Sequence, residues 1–214
     1  MTGRPGPRDA LGGVPVETSR TAWRGPLWSV VEERVRLPAG PVDRQYLVHP
    51  GAVGVLGLDE ADRVLLVHQY RHPVRATLWE PPAGLLDVAG EDPLRTAQRE
   101  LYEEAHHQAT DWALLVDAYT SPGSSDEAVR IYLARGLSPV TDRDRYAGTH
   151  EETDMPVVWV PLDEVVAAVL AGALHNPLLV MGALAAYAAR GRGWAALRPA
   201  DTPWPARPAR STAG

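Results

Sequence analysis

Apolar residues recur along this chain in two periods: alternation every second residue marks strands, and spacing near 3.6 marks helices. Three β-type runs come first, over residues 14–19, 28–37 and 44–48. Leu37, Pro38, Ala39, Gly40 and Pro41 supply turn residues between the last two, which predicts a hairpin. Alternation over 31–37 is only partial, as suits a sheet with one wet face or one that meets a partner chain. Residues 51–58 and 63–70 are nearly continuous apolar strands joined by the polar turn Asp59, Glu60, Ala61, Asp62. A glycine-rich loop opens at Gly84 into a helix that starts near Pro93 and fades after Ala105, because proline suits the first helical turn.

Beyond that helix, 112–120 and 127–135 read as two strands around a Ser/Pro/Gly loop, 143–152 as a polar mobile stretch and 157–160 as a last strand. Alanine-rich helices follow over 163–171 and 178–190, the second opened by Asn176 and Pro177. Strands on both sides of the first helix, with helices late in the chain, predict a mixed sheet between helical layers. The expected organisation is a disordered start over 1–13, a small β module over 14–49, a main domain over 50–190 and a disordered Pro/Arg-rich tail over 191–214.

Composition narrows the chemistry. With 214 residues and 45% hydrophobic content the chain suits one globular domain. Cysteine is absent, which excludes disulfides and thiolate metal sites. The net charge of -6, from 27 acidic and 21 basic residues, argues against a nucleic-acid surface. No secretory signal or membrane-length apolar stretch is present, so a cytoplasmic protein without membrane contact is expected.

The 93–105 helix carries the candidate chemistry. At about 100° per residue, Glu100, Glu103 and Glu104 fall within an arc of roughly 100°. Like charges so placed repel, and hard divalent cations bind clustered carboxylate oxygens. Leu94, Ala97 and Leu101 occupy an adjacent face that would pin the helix to a core, and Arg99 stands one turn before Glu103. Alone, the acidic triplet would read as a solvated helix face.

The longer pattern reads otherwise. Glu91, seven residues, then Arg99, Glu100, Leu101, Tyr102, Glu103 and Glu104 resembles the Nudix box, G-x5-E-x7-R-E-U-x-E-E-x-G-U with U aliphatic. Two departures stand out: six residues separate Gly84 from Glu91, and the closing glycine and aliphatic positions hold His106 and His107. The insertion lies in a loop, and His106 replaces a residue suited to the left-handed cap, so neither changes the carboxylate spacing. His106, His107 and His68 read as capping or surface residues rather than ligands.

The resemblance implies an α/β fold, the Nudix-type α/β/α sandwich with a mixed sheet, preceded by a small N-terminal antiparallel β module that serves dimerisation. It implies a Mg²⁺ or Mn²⁺ site at Glu100, Glu103, Glu104 and the Ala83 carbonyl, oriented by Arg99. A proline sixteen residues beyond the closing box position, here Pro122, resembles the ADP-ribose pyrophosphatase subgroup, as does the segment running on to Glu127. Gln69, Arg71, Trp79 and Glu80 resemble that subgroup's substrate contacts: Arg71 offers a planar fork suited to phosphate, Glu80 an acceptor for ribose hydroxyls or adenine, and Trp79 a stacking face. The subgroup's catalytic base comes from a late loop, which places it at Glu151 or Glu152. The implied activity is hydrolysis of ADP-ribose by a homodimer. Another nucleotide sugar such as GDP-mannose, an oxidised nucleotide, and a non-catalytic ADP-ribose-sensing module remain open alternatives.

Overall fold

The computed structural model describes residues 6–140 and 155–207. Three strands, β1 (Val16–Arg24), β2 (Ser29–Leu37) and β3 (Gly40–Val48), form an antiparallel sheet in the order β1-β2-β3. The predicted hairpin is the β2–β3 pair, with Leu37 opposite Gly40. Every residue of β1 is exposed.

The central sheet contains β4 (Ala52–Gly57), β7 (Ala83–Leu85), β8 (His107–Tyr119), β9 (Ala128–Pro139) and the short β11 (Arg198–Pro199), in the order β11-β8-β9-β4-β7. It is mixed: β4 runs parallel to β9, and the other pairs are antiparallel. A second antiparallel sheet has the order β10-β5-β6, from β5 (Arg63–Arg71), β6 (Ala76–Glu80) and β10 (Val157–Pro161). The helices are α1 (Pro93–Ala105), α2 (Leu162–Leu170) and α3 (Pro177–Arg190). Strands β6 and β7, not among the predicted elements, and β11, within the expected tail, complete the sheets.

Strand alternation divides the core in two. Leu56 of β4 and Val129, Ile131 and Leu133 of β9 pack with Leu162, Leu179 and Ala183 of α2 and α3. Val53 and Val55 of β4 and Tyr132 and Ala134 of β9 face the other way, onto Ala97, Leu101 and Ala105 of α1. Burial on both faces explains why β4 reads as an unbroken apolar run and is buried throughout. Each fully buried Leu, Ile or Val contributes about 1.5–3 kcal/mol. The result is the expected α/β/α sandwich. Among the described residues no helix is long and apolar enough to cross a membrane.

Helix ends follow local chemistry. The Asp92 side chain accepts from the Leu94 N–H at 2.9 Å with Pro93 in the first turn, and Asn176 accepts from Leu179 at 3.0 Å ahead of Pro177. At the far end of α1, His106 adopts φ 52° and ψ 38°. It takes the left-handed cap that glycine would fill more easily, at a cost of about 1–2 kcal/mol, and its N–H bonds the Tyr102 carbonyl at 3.0 Å.

The expected disorder of 191–214 is corrected for 191–207. Strand β11 pairs with Ala113 and Leu114 of β8, and the Tyr119 hydroxyl donates to the Ala206 carbonyl at 2.6 Å. Arg130, 3% exposed, donates to both Asp117 oxygens at 2.7 and 3.1 Å and to the Thr202 carbonyl at 2.8 Å. Its guanidinium also lies 4.6 Å from the Trp204 ring centroid. Proline and arginine abolish periodicity without preventing long-range contacts, so the segment looked unstructured. Its two tryptophans, Trp194 and Trp204, were the overlooked signal, since disordered segments are poor in aromatics.

Removing Arg130 leaves Asp117, among the described residues, with only the exposed Arg198 as a cationic partner, at 3.2 Å, and takes the donor away from the Thr202 carbonyl. Arg130→Ala is therefore expected to destabilise the protein by about 3 kcal/mol, read as a lower urea midpoint at unchanged slope, and to release the 198–207 segment to early protease cleavage. An unshifted midpoint would show that the tail is not held by this residue.

Candidate active site

The acidic face of α1 stands behind a cleft. Residues 83–85 line the cleft, held in place because β7 pairs with β4 and the Val55 N–H donates to the Pro82 carbonyl at 2.8 Å. From there the Ala83 N–H donates to Glu104 Oε2 at 2.8 Å, joining β7 to the helix. Gly84 is required by proximity: a Cβ there would lie 2.0 Å from Glu100 Oε1 and 2.3 Å from its Cγ. A side chain at 84 would force the Glu100 carboxylate aside, out of its bond to Arg99, or push β7 off the helix.

Arg99 gathers the carboxylates. Its guanidinium donates to Glu100 Oε1 at 2.7 Å, to Glu103 Oε2 at 3.0 Å and to the two Glu91 oxygens at 3.3 and 3.1 Å. Its ion pair with Glu103 is the one expected from their spacing. The hydrogen bonds from Arg99, aided by Thr96, hold the Glu91 carboxyl below its ordinary range, and Glu91 in turn raises the Arg99 pKa. Glu104 goes the other way. Burial, reinforced by the negative charges of Glu100 and Glu80, pushes its carboxyl up to about 8, against the opposing Ala83 N–H and Arg71 charge.

Among the described residues, no three His, Asp or Glu side chains converge as they would around a bound ion. The donor chemistry nonetheless fits a hard divalent cation. Three carboxylates share a helix face, and burial raises the pKa of one of them, Glu104, a penalty that a cation beside it would offset.

The cleft in front measures about 640 Å³. Arg71, Glu80 and Ala83 line one wall, and Trp28, His49, Thr120 and Glu127 another. Asn176, at the start of α3, lies on the margin. The Arg71 fork binds Glu80 through two bonds, Nε to Oε1 at 2.9 Å and Nη2 to Oε2 at 2.6 Å. Glu127 accepts from the Thr120 hydroxyl, and His49, whose Nδ1 accepts from the Gly51 N–H at 3.1 Å, lies beside it with Nδ1 3.4 Å from Oε1.

Three expected substrate contacts fall outside the cleft lining. Trp79 precedes Glu80 on β6 and so faces the other side of the strand, stacked on His68 at 4.1 Å between ring centroids. Gln69 lies in β5 and is not itself a lining residue, although Leu78 opposite it is. Pro122 lines a neighbouring groove with Tyr46 and Tyr119, in a loop tied to β3 by bonds between Leu47 and both Ser124 and Asp126. Glu80, expected to meet ribose or adenine, is 1% exposed with both oxygens on Arg71. Glu151 and Glu152 lie outside the described residues. Trp28, His49, Thr120 and Asn176 were not anticipated. Trp28 opened the 28–37 run and carried no other signal, because contacts made across distant strands leave no local spacing.

A carboxylate-bearing helix behind an arginine-walled cleft, in an α/β/α sandwich, is the layout of a hydrolase for phosphate-linked substrates. The chain belongs to the NUDIX domain family, whose pattern matches residues 48–179. It is 45% identical over 192 residues to an ADP-ribose pyrophosphatase of Mycobacterium tuberculosis, covering 89% of this chain and 91% of that protein. It is also 38% identical over 131 residues to a methanol dehydrogenase activator of Bacillus methanolicus, covering 61% and 69%. A crystal structure of an ADP compounds hydrolase superposes with a TM-score of 0.69 over 87% of this chain and 99% of that one. At 21% identity it shows the shared fold.

The Gly84 contact can be tested without any assay of turnover. Gly84→Ala must displace Glu100 or β7 and is expected to cost about 1–3 kcal/mol, seen as a lower melting temperature. Gly123→Ala, with nothing within 4 Å of the added Cβ, should stay within about 0.5 kcal/mol. Equal melting of the two variants would refute the close-approach account.

Proposed function

We propose that this protein hydrolyses the diphosphate bond of ADP-ribose to AMP and ribose 5-phosphate, using Mg²⁺ or Mn²⁺, as a cytoplasmic homodimer. The observation that carries the reading is the Arg99-organised carboxylate face beside a cleft walled by Arg71 and Glu127. The identity to an ADP-ribose pyrophosphatase over nearly the whole chain supports the substrate. The wholly exposed β1, with Val16 at 50% and Trp23 at 55% exposure, supports pairing with a second copy.

Glu100, Glu103, Glu104 and the Ala83 carbonyl would hold the cation. When bound, such an ion supplies charge neutralisation at the diphosphate and a lowered pKa for water. Arg99 keeps the carboxylates oriented, which makes its role positional. The Arg71 fork orients the diphosphate, and Glu127 accepts from substrate hydroxyls. One of Glu151 and Glu152 takes the proton of the attacking water as its oxygen bonds to phosphorus. The bond from that phosphorus to the bridging oxygen breaks, and the second phosphate leaves with the bridge.

Glu104→Gln is expected to lower kcat for ADP-ribose by about a hundredfold or more while leaving the circular dichroism spectrum unchanged. Near-normal turnover of the variant at saturating Mg²⁺ would overturn the carboxylate assignment. Wild-type protein that releases neither AMP nor ribose 5-phosphate, followed by mass spectrometry in ¹⁸O water, would overturn the substrate.

A further inference from the structure

Glu80 is a buried acid that the proposed chemistry does not consume. It is 1% exposed and gives both carboxylate oxygens to Arg71 in a fork-to-fork arrangement. In the β5–β6 register Glu80 lies opposite Val67, whereas Arg71 lies opposite Ala76, four residues further along. At about 3.3 Å per residue that separation is roughly 13 Å, so the Arg71 side chain must lie back along the sheet to reach its partner. An arginine at a strand end would otherwise sample many rotamers. A secluded carboxylate with two acceptors in one plane selects one of them, and the plane of the guanidinium with it.

We infer that Glu80 is a positioning residue: it fixes the Arg71 guanidinium on the cleft wall, so that a nucleoside diphosphate meets an already oriented donor. The identity of the substrate rests on the proposed function; the positioning does not. A substrate hydroxyl has no access to Glu80 while Arg71 holds both oxygens. The pairing also sets what Arg71 offers, because a guanidinium already matched by a carboxylate contributes directed hydrogen bonds more than net positive charge. Lysine, a point charge without the fork, could not replace it.

A double-mutant cycle separates this role from direct contact. Arg71→Ala, Glu80→Gln and the double variant would be compared with wild type in two assays. One measures kcat and KM for ADP-ribose with Mg²⁺, and the other calorimetric binding of ADP in EDTA. Glu80→Gln is expected to raise both KM and the Kd for ADP about tenfold, with kcat changed by less than about threefold. The double variant should bind ADP no worse than Arg71→Ala, because Glu80 acts only through the arginine. Multiplicative losses would overturn the inference by giving Glu80 a substrate contact of its own. Arg71→Lys keeps a cation beside the buried acid and guards against misfolding of the other variants; it should also weaken ADP about tenfold, and wild-type affinity there would overturn the inference. Wild-type protein that binds ADP with this pattern yet leaves ADP-ribose intact would remove the proposed hydrolysis and uphold the positioning.

Discussion

Arg99 resolves the conflict on which the rest of the molecule depends. A helix that presents Glu100, Glu103 and Glu104 on one face carries mutual repulsion of a few tenths of a kcal/mol per pair, more where water is excluded. The guanidinium answers it with bonds to Glu100, Glu103 and Glu91. Because Glu91 lies ahead of the helix and Glu103 near its end, the arginine also ties the preceding loop to α1. Glu104 is left largely outside that arrangement, and burial, with Glu100 and Glu80 adding to it, raises its pKa.

The sheet turns this local solution into a site. Ala97 and Leu101 anchor α1 on β4 and β9, so the acidic face has a fixed direction. Strand β7 brings Ala83 and Gly84 against that face, and the missing side chain at Gly84 lets it come close enough for the Ala83 N–H to reach Glu104. The segment from Glu80 to Gly84 therefore serves two neighbours, one end holding Arg71 in the cleft and the other the box helix. Such coupling explains why three strands, β4, β6 and β7, must be in register before the site exists.

The N-terminal sheet is part of the same construction. The end of β3 bonds the 121–126 loop through Leu47, and the His49 N–H donates to Asp126 at 2.7 Å. It thereby places His49 beside Glu127 and lets Trp28 line the cleft. A module expected to serve assembly thus also supplies a wall of the cleft.

The chain by itself determined whatever depends on short-range spacing. The α1 limits, the cap at Asn176, the β2–β3 hairpin and the shared face of the box glutamates all follow from residues within a turn or two of one another. Apolar runs likewise announced β4 and β5 as strands, β4 being buried throughout and β5 over Val64–Val67. Tertiary structure alone decided the rest, because those contacts join residues far apart in sequence and have no period to betray them. Glu80 became a partner of Arg71 only through the β5–β6 register, and Trp79 turned away from the cleft by the same pleat. The tail was ordered by Arg130, some seventy residues upstream. Spacing along a chain reports which side chains share a face, whereas what that face meets depends on how the strands are paired.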